Sequence, residues 1–338
     1  MNSESSSPLC IVGSGRCGTT LLVAMLNASG NLHIPYESSF LVRAEPFFSK
    51  SKITEDDYEI LAHLFFLTSE KKGWGLSSES LVGAMKRCRP TTLAGVVDVI
   101  CREYLDQAGL AESVEWGLKR PLMICHLDRV YRCFPSAKVI HVVRDGRDVS
   151  LSYRELHKKS EVKFGPRGVV TSALYWIAGL RMAEKHERQF LTVRYEDLIK
   201  RPSKELTRIE RFAKIEGLVD GGLTYAEQVT PSVVTDTAAK FIHQKVYKGV
   251  DASNAYKYKT GMRWHERFVF EAIASRYLMK YGYAQEFSGI TWLFFPFRFA
   301  ASRAAVFFNR MRYAKRDKMF YAQALAAVET CSPNDLCA

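Results

Sequence analysis

The chain has 338 residues, enough for one large domain with an appendage, and 47% of its residues are apolar and 25% charged. That composition is typical of folded proteins and excludes a disordered chain, a collagen and a disulfide-stapled miniprotein. The net charge of +12 favours anionic partners, such as phosphorylated ligands, nucleic acid or an acidic lipid surface, without choosing among them.

The first residues and the cysteines bear on the compartment. The N-terminus has neither a basic nor an apolar signal-peptide region, so we expect a cytoplasmic protein. The eight cysteines include no C-x-x-C pair and no cluster with histidine, which predicts mostly buried thiols in a reducing compartment and no metal site. No run of about 18 apolar residues occurs, so no spanning helix is expected.

Three apolar runs predict buried strands. Residues 9–12 form the first run and lead into a glycine-rich loop and a helical pattern. Residues 138–143 form the second, and the spacing of apolar residues after the turn at 144–147 predicts a helix there. Residues 190–195 form the third run, ahead of a helical stretch at 203–212.

Further helices are predicted at 92–108, 122–134 and 170–186. Strands that alternate with helices predict an α/β fold with a P-loop-type parallel sheet flanked by helices on both faces. After residue 285 the composition becomes aromatic and basic. We therefore expect one α/β domain over residues 1–285 and a C-terminal helical extension over residues 286–338.

The loop after the first strand has the spacing of a phosphate-binding loop. Gly13 and Gly18 are five residues apart and precede a helix, whose N-terminus and backbone N–H groups would cradle phosphate oxygens. Nucleoside triphosphatases carry a lysine where this chain has Thr19, and a cation, Arg16, lies inside the loop instead. The loop therefore favours a mononucleotide 5′-phosphate over a triphosphate, and a plain glycine turn is the alternative.

These residues resemble the loop of sulfotransferases that use 3′-phosphoadenosine-5′-phosphosulfate (PAPS), in the arginine-containing form of bacterial and tyrosylprotein members. Residues 143–152 resemble the segment that binds the 3′-phosphate in that family, and residues 116–121 and 193–198 also match it. The resemblance runs from residue 8 to about residue 283 and implies a PAPS-dependent sulfotransferase. The residues it assigns to PAPS binding are Gly15, Arg16, Cys17, Gly18, Thr19, Thr20, Arg144, Ser152 and Lys259.

The resemblance also implies the catalytic side chains. Glu37 stands where arginine-loop sulfotransferases carry a glutamate base, and we expect it to take the proton of the acceptor hydroxyl. Arg16 is expected against the phosphosulfate oxygens and Lys119 near the scissile bond, where cations neutralise developing charge without a metal. His126 and His141 are alternative bases, although His141 lies in an apolar strand.

The acceptor is expected to be a hydroxyl-bearing molecule: a glycan, a lipid-linked sugar, another small molecule or a peptide tyrosine. Variable loops at 44–81 and 217–251 are expected to form its pocket, and residues 195–197 to supply structural hydrogen bonds. The alternative functions are a P-loop nucleotide kinase or triphosphatase, disfavoured by the missing lysine, and a non-catalytic nucleotide-binding protein. Retention of the whole set of site residues disfavours the second.

Residues 298–318 contain seven basic residues and one acid, with aromatic side chains interleaved. A segment of this kind over 290–318 suits peripheral contact with an anionic membrane. Its cations fall all around the helical wheel, so packing on the domain or in a homodimer suits it equally. Nucleic acid is not an expected partner, because no recognition motif accompanies the charge.

Overall fold

A computed structural model describes residues 7–69, 71–159, 165–228 and 251–330. At its centre lies a parallel sheet of five strands in the order β2-β3-β1-β4-β5. The strands are β1 Leu9–Gly13, β2 Leu32–His33, β3 Glu115–Lys119, β4 Lys138–Val143 and β5 Phe190–Arg194. The predicted α/β fold with a parallel sheet is confirmed.

Helices cover both faces of the sheet. The α-helices of the described residues, numbered in chain order, are α1 Thr19–Asn27, α2 Phe40–Phe48, α3 Tyr58–Thr68, α4 Lys71–Trp74, α5 Ser78–Cys88, α6 Leu93–Gln107, α7 Leu127–Cys133, α8 Gly146–Lys159, α9 Val169–Ala183, α10 Tyr195–Lys200, α11 Pro202–Ala213, α12 Leu218–Leu223, α13 Tyr225–Gln228, α14 Tyr258–Gly261, α15 Trp264–Lys280, α16 Ser288–Thr291 and α17 Phe295–Thr330. The predicted helices at 92–108 and 170–186 are α6 and α9, whereas that at 122–134 is a 3₁₀ segment, Pro121–His126, followed by α7.

The prediction that residues 44–81 form loops is wrong, because α2 to α5 occupy most of this segment. In α3, apolar side chains recur at helical spacing, and Leu61, Leu64 and Phe65 are buried in the core. Of the second predicted loop, 217–251, residues 218–228 form the short helices α12 and α13, and residues 229–250 lie outside the described residues.

The alternation of side chains along β1 shows how both faces of the sheet are buried by apolar packing. Cys10 and Val12 pack into one hydrophobic cluster, with α2, α3, α5, α6 and α7. Leu9 and Ile11 pack into another, with α1, α10, α11 and α12. Because successive residues of a strand point to opposite faces, a strand buried on both sides must be apolar throughout, as β1 is.

All five strands run parallel, so their carboxyl ends lie along one edge of the sheet. The central strand β1 has β3 on one side and β4 on the other. Loops that leave neighbouring strands in opposite directions open a crevice at this edge, where α/β proteins bind ligands. The glycine loop follows β1 and residues 144–148 follow β4, while Lys119 and Arg120 lie at the end of β3, so all three groups lie at this edge.

Helix α17 packs on the domain, in contact with α2, α3, α9 and α15, and Tyr313, Phe320 and Tyr321 of its C-terminal half join the hydrophobic cluster of α2 and α3. Tyr313 and Asp317 are buried. The Asp317 carboxylate forms ion pairs with Arg43 and with Arg129, whose Nη1 lies 2.8 Å from Oδ2. Removing one partner from a buried ion pair costs about 3–5 kcal/mol. This half of the helix is therefore firmly attached to the domain.

The start of the extension is also anchored, whereas the middle is exposed. Glu271, fully buried on α15, accepts hydrogen bonds from the backbone N–H groups of Glu286 (3.0 Å) and Phe287 (2.9 Å). Across the described residues, no helix is both long and apolar enough to cross a membrane. Among the described side chains of the extension up to residue 311, the large apolar ones that are exposed are Ile290, Leu293, Phe294, Phe307, Phe308 and Met311.

The pH dependence of stability tests the burial of His141. Its ring lies between those of Phe190 and Tyr281, with centroids 5.3 and 5.8 Å away, and burial lowers its pKa to about 3. Between about pH 6.5 and about pH 3 the unfolded chain therefore binds a proton that the folded chain does not. The stabilisation is complete above this window and is lost as the pH falls.

We predict that His141→Leu removes part of the acid destabilisation, up to about 1.4 kcal/mol per pH unit within this window. Urea unfolding of both proteins at about pH 7 and about pH 5 measures it. His265→Leu, at an exposed position, is the control. An unchanged loss of stability in His141→Leu would contradict the prediction.

Candidate active site

Two glycines shape the loop between β1 and α1. Gly18 has φ +98°, and a Cβ there would lie 2.3 Å from the ring of Tyr195. A Cβ at Gly15 would lie 2.0 Å from the hydroxyl of Tyr153. Both positions therefore require glycine, because the loop backbone lies directly against aromatic side chains of α8 and α10. The Gly15 N–H group donates to the hydroxyl of Tyr175, 3.3 Å away.

Arg16 is held in an unusual conformation at the tip of this loop. Its φ of +66° is rare outside glycine and is typical of functional sites. Its Nε donates to Ser152 Oγ at 3.2 Å, and its carbonyl accepts from Arg144 Nη1 at 3.4 Å. Burial lowers the pKa of Arg16, and the charge of Arg144 lowers that pKa further. Arg16, Arg144 and Ser152 thus form one cluster, here called the arginine–serine cluster.

Arg144 is the most constrained member of the arginine–serine cluster. Its guanidinium carbon lies 4.5 Å from the ring centroid of Tyr195, and its Nη2 donates to the carbonyl of Asn254 at 2.7 Å. Asp148, fully buried, approaches it at 3.5 Å. Arg144 Nε is buried and has no hydrogen-bond partner among the described residues. Two neighbouring guanidinium groups, of which only Arg144 pairs with a carboxylate in the described part of the chain, together with an unused buried donor, suit a phosphate.

A second group of charges lies at the ends of β2 and β3 and is here called the glutamate cluster. Lys119, buried at the end of β3, forms an ion pair with Glu37, and its Nζ donates to Thr20 Oγ1 at 3.2 Å. Arg120 Nη1 donates to the other oxygen of Glu37 at 2.9 Å. The carboxylate is therefore held between two cations, one of which also reaches the start of α1.

Residues on either side of Glu37 fix its position before α2. Ser38 Oγ accepts a hydrogen bond from the N–H of Phe40 at 3.0 Å and lies 2.7 Å from Ser69 Oγ. Tyr36 packs so closely on α4 that a Cβ at Gly73 would lie 2.2 Å from its ring. The carboxylate is thus presented by a braced turn.

A buried ion-pair network fixes the turn between β4 and α8. Arg147 is fully buried, with Nη2 2.7 Å from Asp145 and Nη1 2.6 Å from Glu271. Glu196 accepts hydrogen bonds from the N–H of Asp145 (3.0 Å) and the hydroxyl of Tyr283 (2.9 Å). The structural hydrogen bonds predicted for residues 195–197 are therefore present, and they hold the turn that carries Arg144.

Five of the predicted site residues lie in these two clusters, and the others except Lys259 lie in the glycine loop and the first turn of α1. There are two differences from the prediction. The Arg16 side chain was expected at the phosphosulfate oxygens, but its Nε faces Ser152. Lys259 is exposed on α14, with Nζ 5.7 Å from the ring centroid of Tyr256. No contact among the described residues joins its side chain to the glycine loop. Its role in binding stays a prediction.

The two histidines offered as alternative bases are both buried. His126 packs against Tyr313, with ring centroids 4.4 Å apart, and His141 lies within β4. Burial lowers the pKa of each to about 3. Neither histidine has a described contact with the glutamate cluster.

Several residues at the site were not predicted from the sequence. They are Arg120, Tyr153, Asn254 and Tyr175. Arg120 and Tyr153 directly follow predicted site residues, so adjacency was an available signal for them. Tyr175 and Asn254 reach the site from distant parts of the chain, and no local sequence pattern predicts their position there. Burial raises the pKa of Tyr175 well above its ordinary value, which keeps its hydroxyl protonated beside the loop.

Comparison with known proteins agrees with this geometry. A model of the sulfotransferase family matches residues 8–220, more than half of the chain. No curated protein sequence matches it significantly. Among solved structures, the sulfotransferase domain from the curacin biosynthetic pathway is similar with a TM-score of 0.55 and 16% identity, over 83% of this chain and 99% of that domain.

Two further structures are similar to the chain. The sulfotransferase domain from the Synechococcus PCC 7002 olefin synthase has 23% identity and a TM-score of 0.48, over 81% of this chain and 98% of that domain. Sulfotransferase STF9 from Mycobacterium avium has 14% identity and a TM-score of 0.44, over 83% of this chain and 78% of that protein. The family match is the stronger finding: the chain belongs to the sulfotransferase family and is a sulfotransferase enzyme.

Proposed function

We propose that this enzyme transfers a sulfuryl group from PAPS to a hydroxyl group of an acceptor, with Glu37 as the general base. The observation that carries the proposal is the placement of two cationic clusters, one around Arg144 and one around Glu37, at the same edge of the sheet. Sulfotransferases generally use PAPS, which supplies the sulfuryl group and two separated phosphates. Two cationic clusters match that charge distribution.

The arginine–serine cluster is proposed to hold the 3′-phosphate. A guanidinium group and a hydroxyl are strong donors to a phosphate, and the unpartnered Nε of Arg144 leaves one donor for it. The backbone of the glycine loop, at the N-terminus of α1, is proposed to hold the 5′-phosphate. Arg16 joins the two, because it belongs to the loop and contacts Ser152.

The glutamate cluster is proposed to carry out the proton transfer. Glu37 takes the proton of the acceptor hydroxyl, and its negative charge then disappears. Lys119 and Arg120 then no longer face a negative charge that balances their own. Their positive charges become available to stabilise the negative charge that develops on the leaving phosphate. The ion pairs of the resting enzyme thus couple the base to the electrostatic stabilisation.

The alternative functions have less support. A nucleotide kinase or triphosphatase needs the loop lysine that Thr19 replaces. A protein that only binds nucleotides would not need a carboxylate held at the end of β2 by two cations. The acceptor remains a hydroxyl-bearing molecule of one of the classes given above.

Nucleotide affinity tests the arginine–serine cluster. We predict that 3′,5′-adenosine bisphosphate raises the melting temperature and that Arg144→Ala weakens its binding about 30-fold or more, the equivalent of about 2–3 kcal/mol. Ser152→Ala should weaken it less. Isothermal titration measures both, with Arg87→Ala, which breaks an exposed ion pair, as the control. A larger stabilisation by ATP with Mg²⁺ would point to a triphosphate site instead.

Turnover tests the glutamate cluster. We predict that Glu37→Gln lowers transfer from ³⁵S-labelled PAPS by about 10²–10⁴-fold, because the base is lost, while the affinity for 3′,5′-adenosine bisphosphate stays the same. A screen of hydroxyl-bearing acceptors, including membrane extracts, supplies the substrate. Glu184→Gln is the control, since Glu184 also lies between an arginine and a lysine. Full activity of Glu37→Gln would exclude Glu37 as the base.

We further propose peripheral membrane contact through residues 290–311. Exposed rings such as Phe307 and Phe308 lie there among exposed basic residues, including Arg303 and Arg310. Attraction to an anionic surface contributes about 1 kcal/mol per basic residue, or about 3 kcal/mol for the three arginines of this segment, less than the cost of breaking both buried ion pairs of Asp317. The packed half of α17 therefore stays on the domain, and only the exposed half is free to meet a bilayer.

Vesicle co-sedimentation tests this contact. We predict binding to phosphatidylglycerol vesicles that weakens with salt, weaker binding to phosphatidylcholine vesicles, and loss of binding when Phe307→Ser and Phe308→Ser are combined. Met279→Ser, at an exposed position on α15, is the control. Equal binding to both kinds of vesicle would contradict the membrane contact. If the wild-type protein forms dimers and the Phe307/Phe308 variant does not, the surface belongs to a homodimer interface instead.

A further inference from the structure

The packed half of α17 lies beside the glutamate cluster. The ring centroid of Tyr313 is 4.4 Å from that of His126, and the Tyr313 hydroxyl lies near enough to Cys125 to lower the pKa that burial raises. Both partners belong to Pro121–His126, the segment that directly follows Lys119 and Arg120. These contacts fix α17 next to the two cations that hold Glu37.

Two arginines of α17 flank Tyr313. Arg312 and Arg316 are four residues apart and therefore lie on the same side of the helix, at the border of its buried face. Both are exposed. Partial burial and the positive charges of Arg312, Arg43 and Arg120 lower the pKa of Arg316, so Arg316 is close enough to each of these three guanidinium groups to be repelled by it.

The acids nearby are already neutralised. Asp317 forms ion pairs with Arg43 and Arg129, and Glu37 is held by Lys119 and Arg120. Within the described part of the chain, Arg312 and Arg316 make neither an ion pair nor a hydrogen bond. The surface that runs from Arg120 along α17 therefore carries an excess of positive charge.

This excess is not needed for the donor. The donor's phosphates are proposed to bind at the glycine loop and the arginine–serine cluster, on strands β1 and β4, whereas Arg120 follows β3. An anion that approaches from the side of α17 would meet Arg316 and Arg312 next to the base. Guanidinium groups bind carboxylate, phosphate and sulfate groups through paired hydrogen bonds, which fixes the orientation of the bound molecule.

We propose that Arg312 and Arg316 bind an anionic group of the acceptor, a carboxylate, phosphate or sulfate, while the reacting hydroxyl lies at Glu37. This inference rests on the proposed function, since it assigns the acceptor side to the face beside α17. It places the substrate among acidic, hydroxyl-bearing molecules and makes the extension part of the acceptor site.

The first test measures anion binding without turnover. The protein, saturated with 3′,5′-adenosine bisphosphate so that the donor site is filled, is titrated with inorganic pyrophosphate. We expect one further site, weakened at least about tenfold when Arg312→Gln and Arg316→Gln are combined. The matched control combines Arg310→Gln and Lys318→Gln, the same charge change at two exposed positions on the opposite side of α17. Equal weakening in the two variants, or no pyrophosphate site, overturns the proposal.

The second test uses a pair of probes that differ in one carboxylate, 4-nitrophenyl β-D-glucuronide and 4-nitrophenyl β-D-glucoside. We expect the bisphosphate complex to bind the glucuronide at least about fivefold more tightly, and the Arg312/Arg316 variant to lose this preference. Equal affinity for the two probes, including no measurable affinity for either, overturns the proposal.

Two further outcomes distinguish a failure of this proposal from a failure of the proposed function. If 3′,5′-adenosine bisphosphate does not bind, the proposed function fails, while pyrophosphate binding to the free protein still reports on Arg312 and Arg316. If the Arg312/Arg316 variant loses binding to phosphatidylglycerol vesicles but keeps pyrophosphate and glucuronide binding, the two arginines belong to a membrane surface and the acceptor proposal is overturned.

Discussion

Repulsion between like charges is the constraint on which the site depends, because four cationic side chains must stay close together at one edge of the sheet. Buried and half-buried carboxylates resolve it: Asp148 lies against Arg144, and Glu37 lies between Lys119 and Arg120. Neither carboxylate cancels all of the charge that surrounds it. The site therefore keeps a net attraction for anions while its cations stay ordered.

The buried ion pairs of Arg147 fix the position of a turn at the site more than they stabilise the fold. A buried ion pair seldom adds much net free energy, because desolvation offsets the attraction between its charges. Arg147 nevertheless lies between Asp145 and Glu271 with no exposed surface, and this arrangement fixes the turn on which Arg144 stands. Glu271 also accepts the backbone N–H groups of residues 286 and 287. One carboxylate thus ties the turn that carries Arg144 to the start of the extension.

The sequence predicts the elements whose signal is local. Strands β1, β4 and β5 are continuous apolar runs, whereas β2 has two residues and β3 is interrupted by Gly117, where a Cβ would lie 2.6 Å from the carbonyl of Leu9. The motifs also predict the members of both clusters except Arg120. The contact between Glu37 and Arg120 could not be predicted, because it joins the ends of different strands and arises from sheet topology.

The candidate site depends on residues of the extension, which lies outside the region that the family model matches. Asp317 lies beyond residues 8–220, yet its ion pair with Arg43 fixes α2, and Glu37 lies in the turn immediately before that helix. The position of Glu37, the proposed base, is therefore set in part by a helix outside the family match. Because that helix also presents Arg312 and Arg316 near Arg120, a change in the extension alters both the brace of Glu37 and the positive charge beside it. If these two arginines bind the acceptor as proposed, acceptor preference can change through α17 while the residues proposed to bind PAPS stay as they are.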